Sequence, residues 1–215
     1  MSRRTMPGFT LIEIAIVLVI IGLLIGVALK GQELISSAKV KNLANDLRSI
    51  PVLFYGYQDK YRRLPGDDPA ASGSRFPGFL RATASGQNPG DGLIQGLWNS
   101  TDITSENVLF WQHVRGAGFA SGSTDFSSSA NAALPVNAQG GLLGIQQTPP
   151  IVGLAGTFYS CSAGIQGKLA QQLDVTLDDG APDRGSVRAQ VEWNSAQPGA
   201  NTYVDATVYT VCMAY

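Results

Sequence analysis

The chain has 215 residues, enough for one globular domain with a short appendage. Fifteen basic residues stand against 16 acidic ones, and no basic run is long enough to follow a phosphate backbone, so no nucleic-acid site is indicated. The sequence holds one histidine, no H-E-x-x-H and no G-x-S-x-G, which leaves no visible nucleophile–base pair and argues against an enzyme.

The first element is "FTLIEIAIVLVIIGLLIGVAL", Phe9 to Leu29, apolar except for Glu13. As a helix it rises roughly 31 Å at about 1.5 Å per residue, the thickness of a bilayer hydrocarbon core. It exceeds the roughly 7–15 apolar residues of an ordinary secretory signal. The small residue suited to processing, Gly8, precedes the run. A conventional cleavage site at Ser36-Ser37-Ala38 competes, but it lies well past the run, beyond Lys30 and Glu33. Flanking charges do not set orientation, since Arg3 and Arg4 on one side face Lys30, Lys39 and Lys41 on the other. The cysteines break the tie. Cys161 and Cys212 are the only two, and in an exported chain a bridge between them is the economical reading, with the C-terminal part on the oxidising side.

Glu13 needs a partner, because a carboxylate at mid-bilayer costs about 2.5–3.5 kcal/mol and less toward the ends. No Lys or Arg follows it before Lys30, so its partner is expected on another molecule. If the chain is cut between Gly8 and Phe9, the new α-amino group of a neighbour's Phe9 could meet Glu13 and set the stagger between identical helices.

"PGFTLIE" followed by the apolar run resembles the type IV prepilin signature, over Gly8 to about Leu29. The resemblance implies cleavage after Gly8 by a membrane prepilin peptidase, N-methylation of Phe9, and an assembly role for Glu13. It further implies an inner-membrane assembly platform with its ATPase, other pilins as partners, and self-association into a filament. Members of this family are similar in having a long N-terminal helix, a β-sheet head and often a C-terminal disulfide loop. They include type IV pilins, minor pilins and type II secretion pseudopilins.

Beyond Leu29 the pattern turns amphipathic. Val40, Leu43, Leu47, Ile50, Phe54, Tyr57 and Tyr61 form one apolar stripe, which predicts a continuous helix to about Arg62. Pro51 inside it removes a hydrogen bond and is expected to bend it. Gly22, Gly26 and Gly31 weaken the helix where its two halves join, a candidate place for unwinding on assembly. "LPGDDP", Leu64–Pro69, ends the helix as a turn, with Asp67 and Asp68 as weak calcium candidates. Pro69 to Gly96 reads as loop. "SENVLFWQHVRGAG" predicts a helix capped by Ser105, running from Glu106 to Gly116, with Val108, Leu109, Trp111 and Val114 buried on one side. His113 on it reads as a structural residue. Residues 117–144 read as a long exposed loop.

The last third reads as a strand at "TFYSCSA", a helix from Ile165 to about Leu173, and strands at Ser186–Trp193 and Thr202–Met213 joined as a hairpin by "NSAQPGAN". Asp174, Asp178, Asp179 and Asp183 cluster in "DVTLDDGAPDRG" as weak Ca²⁺ candidates, at a spacing that is not an EF-hand's. "LPGDDP" and "LDDGAPDRG" also resemble, more loosely, segments of large prepilin-like proteins of Gram-negative bacteria.

The expected layout is a leader (1–8), a transmembrane or filament-core half-helix (9–29), an amphipathic half-helix (30–63) and a head (64–215). The expected fold is α+β and pilin-like, a long helix packed on a small antiparallel sheet with a C-terminal disulfide loop. The function the resemblance implies is a non-enzymatic filament subunit with no cofactor besides the weak calcium candidates. It would wait in the inner membrane as a single-pass precursor with its head outside the cytoplasm, then assemble in an extracellular or periplasmic filament. A type II secretion pseudopilin is the alternative, and a membrane-anchored or secreted binding protein the third reading.

Overall fold

The computed structural model describes residues 10–191 and 196–215. The chain divides into two compact units, Met1–Ala38 and Lys39–Tyr215. One helix, α1 (Leu11–Tyr61), runs through Gly22, Gly26, Gly31 and Pro51 without interruption. Its first part is exposed. Leu11, Leu18, Leu24 and Val27 are each more than 60 % exposed. Its later part supplies the predicted stripe. Val40, Leu43, Ala44, Leu47, Ile50, Leu53, Phe54 and Tyr57 are buried, and each large side chain of that kind contributes about 1.5–3 kcal/mol when fully buried.

Among the described residues the second unit holds α2 (Glu106–Gly116), a short α3 (Ser129–Ala132), α4 (Gly167–Leu177) and six strands. Strands β1 (Leu143–Gln146), β3 (Tyr159–Gln166), β6 (Val208–Ala214) and β4 (Val187–Val191) form one antiparallel sheet in the order β1-β3-β6-β4. Two short strands, β2 (Ile151–Val152) and β5 (Gln197–Pro198), pair in parallel beside it. The fold is thus the expected α+β arrangement of long helix and antiparallel sheet.

Alternation along the strands separates two cores. Leu143, Ile165, Val187, Ala189, Tyr209 and Val211 join the α1 stripe, α2 and α4 in the main core. Tyr159, Cys161, Cys212 and Ala214 form a second cluster on the other face, with Trp98, Ile151 and Leu154. Cys161 and Cys212 sit directly opposite one another in the β3–β6 register and are joined by a disulfide. The bridge spans a sequence separation of 51 residues, worth about 4 kcal/mol by chain entropy if unstrained. Gly144, across β1 from Cys161, leaves room for the Trp98 carbonyl, which lies where a Cβ would be.

Several details differ from the sequence reading. The strand expected from Thr202 begins at Val208. Before it the backbone wraps the Tyr209 ring, whose hydroxyl accepts from the Val204 N–H at 2.9 Å and donates to the Thr202 carbonyl. The helix expected at Ile165–Leu173 lies at Gly167–Leu177, because β3 continues through a bulge between Ser162 and Ile165. Within 117–144, read as loop, lies α3, and β1 follows from Leu143. Helix α2 is buried all round from Glu106 to Arg115 rather than on one face. Part of the predicted strand ending at Trp193 lies outside the described residues, as do Gly8 and Phe9.

Candidate functional site

The N-terminal site is built on the first turn of α1. Thr10 precedes the helix, and Glu13 is its third residue. The Thr10 N–H donates to Glu13 Oε2 at 2.8 Å and the Thr10 hydroxyl donates to the same oxygen at 2.7 Å. In return the Glu13 N–H approaches Thr10 Oγ1 at 3.4 Å. This is a capping box, in which Thr and Glu satisfy orphan donors at a helix start. Glu13 thus has hydrogen-bond partners inside its own chain, apart from the partner expected on another molecule. The signal is legible in the sequence, because Thr10-x-x-Glu13 is the capping-box spacing. The macrodipole also favours an anion at that position. From Leu11 to Leu29 the helix is long and apolar enough to cross a membrane, and its most apolar window is uncovered by the rest of the described chain.

The acidic turn after α4 is the second candidate. Asp174, Asp178 and Asp179 come together, each with one oxygen within 4.8 Å of the others, and Asp183 is not in that group. Donors of the turn and of Tyr203 already engage these groups. Asp174 accepts from the Gly180 N–H at 3.1 Å and the Tyr203 hydroxyl at 2.7 Å. Asp178 Oδ2 accepts from the Ser186 and Val187 N–H groups. Asp179 accepts from the Ala181 N–H and pairs with Arg184 at 2.9 Å. Burial pushes the Asp174 carboxyl above its ordinary range.

"LPGDDP" is likewise absorbed into the fold. Asp67 accepts from the Gly90 and Gly92 N–H groups. Asp68 accepts from the Tyr57 hydroxyl at 2.8 Å and pairs with Arg75 at 3.1 Å. His113 Nδ1 accepts from the Gly66 N–H at 2.8 Å, so the neutral ring carries its proton on Nε2. Burial drives its pKa down to about 4. With φ at +94° and the Glu106 carbonyl 2.2 Å from where a Cβ would sit, Gly66 admits no other residue there without rearrangement. His113 is therefore a buried clasp for the turn, and the two cysteines are joined to each other.

Residues 3–29 match the family model described as the prokaryotic N-terminal methylation motif. No curated protein and no solved structure matches the chain. Gly8, Phe9 and Glu13 all fall within the matched residues, and the helix that follows is apolar and uncovered, so the chain carries the prepilin-type N-terminal signature shared by type IV pilins and pseudopilins.

Proposed function

We propose that this chain is a structural subunit of a type IV pilin-like helical filament, made as a membrane-anchored prepilin. The observation that carries the reading is the methylation signature running straight into an apolar helix that the rest of the described chain leaves bare. In this reading a prepilin peptidase cuts after Gly8 and methylates Phe9. An inner-membrane platform then moves the subunit from lipid into an extracellular or periplasmic filament, where it meets other pilins. Like helices associate there largely through packing. Glu13 trades its in-chain bonds with Thr10 for the amine of a neighbouring Phe9. The chain's work is mechanical, and no catalytic role is assigned to it. A type II secretion pseudopilin would share every one of these N-terminal steps.

The test is the mass and N-terminal sequence of the mature protein extracted from membranes. A start at Phe9 carrying one added methyl group is expected. An intact Met1, or a start at Lys39, would remove the amine that Glu13 is assigned and sink the filament reading.

The acidic turn is assigned to the fold rather than to a cation, because its carboxylates are held by Gly180, Tyr203, Ser186 and Arg184. Calcium or a chelator should then move the melting midpoint by less than about 1 °C, since a ligand stabilises only the state it binds. A rise of several degrees with calcium would place an ion there.

A further inference from the structure

Pro51 lies in the middle of α1 and carries no N–H, so the Leu47 carbonyl one turn earlier lacks its ordinary helical donor. The Tyr215 hydroxyl donates to that oxygen at 2.6 Å. Ser160 Oγ lies 2.9 Å from the same phenol oxygen, which has given its proton to Leu47, so Ser160 is the donor there. The Tyr215 ring stacks on Phe158, with centroids 4.9 Å apart, and Phe158 stacks on Phe54 of α1 at 4.2 Å. The Tyr215 backbone is fixed as well. Its carbonyl accepts from the Thr157 N–H at 2.6 Å and the Thr157 hydroxyl at 2.9 Å, and its N–H donates to Phe158. A phenol held by backbone bonds, a ring stack and a serine is thus aimed at the one helical carbonyl that Pro51 deprives of a donor.

We propose that Tyr215 is a latch on the proline break of α1. Its hydroxyl replaces the missing amide proton and couples the end of β6 to the helix. With Tyr215 seated, α1 behaves as a continuous helix through Pro51. With the phenol withdrawn, the helix opens at that point first.

The coupling is tested by a double-mutant cycle on the full chain in detergent, with variants Tyr215→Phe, Pro51→Ala and the two combined, read by amide hydrogen exchange. Tyr215→Phe keeps the ring stack and loses only the hydroxyl. With Pro51 in place it should speed exchange of residues 48–56 about tenfold while leaving α2 unchanged, as expected for local opening. In the Pro51→Ala background the new N–H takes the Leu47 oxygen, and the same change should have less than about a twofold effect. Equal effects in both backgrounds, or none with Pro51 present, would overturn the latch. Should Pro51→Ala not fold, the Leu47 carbonyl ¹³C shift decides. It should move upfield in Tyr215→Phe, and an unmoved resonance overturns the proposal.

Discussion

Glu106 opens α2 and is fully buried, with Oε2 accepting from the Gln95 N–H at 2.8 Å and Oε1 without a hydrogen-bond partner among the described residues. Burial first, with the Asp67 and Asp91 charges adding to it, raises its pKa to about 7 from an ordinary 4.5. The folded state therefore holds this proton more tightly than the unfolded chain does. The stability it confers is complete below the unfolded value and is lost as pH rises through the folded one. Wild-type protein should lose stability between about pH 4 and 8, by at most about 3.4 kcal/mol at about 1.36 kcal/mol per unit. Glu106→Gln should flatten that decline in urea titrations at several pH values. An unaltered slope would show that Glu106 is not its source. Composition foretold none of this, because a helix-start glutamate is ordinarily solvated and its burial depends on residues 87–97 folding over it.

Elements that read as loops are held by single buried side chains. Arg115, at the end of α2, donates to the Ser123, Ala132 and Ala133 carbonyls at 2.7–2.9 Å and has no carboxylate partner among the described salt bridges. Its Nη1 and Nη2 tie residues 123–133 to the core. Arg115→Ala should expose those carbonyls and cost about 2–4 kcal/mol, more than an ordinary surface change, because several buried acceptors lose their donor together. Limited proteolysis should then cut first between residues 117 and 142. Wild-type resistance there would show that other contacts hold the segment. Serine, glycine and alanine richness indicates scarce regular structure and exposure, and most of 117–144 is exposed or half-buried, with Phe126, Ala132 and Asn137 as buried anchors. Strand β1 escaped notice for a related reason, since "LGIQ" is too short and apolar to show alternation and is ordered by pairing with β3.

At the scale of the whole molecule, the apolar part of α1 is exposed among the described residues, and Glu13 bonds to Thr10 in its own first turn. The proposed filament gives both a purpose. Glu13→Ala should leave the precursor inserted and cleavable but lower filament yield at least tenfold, measured by shearing and immunoblotting. Wild-type yields would remove the intersubunit pairing. Thr10→Val separates the two roles of Glu13, because it disturbs the capping box and leaves the carboxylate available to a neighbour.

The amino-acid sequence by itself determined the membrane-length apolar run, the position of Gly8 before it, the stripe from Val40 to Tyr57, helix α2 and the pairing of the only two cysteines. These rest on local periodicity or on having a single available partner, and neither needs a fold to be read. The tertiary structure alone decided that Asp67, Asp68 and His113 clasp a turn, that Glu106 is buried, that Tyr203 reaches Asp174, and that Tyr215 reaches Leu47. Each of these joins residues far apart in sequence or depends on burial, and both are fixed only when the helices and the sheet close on one another.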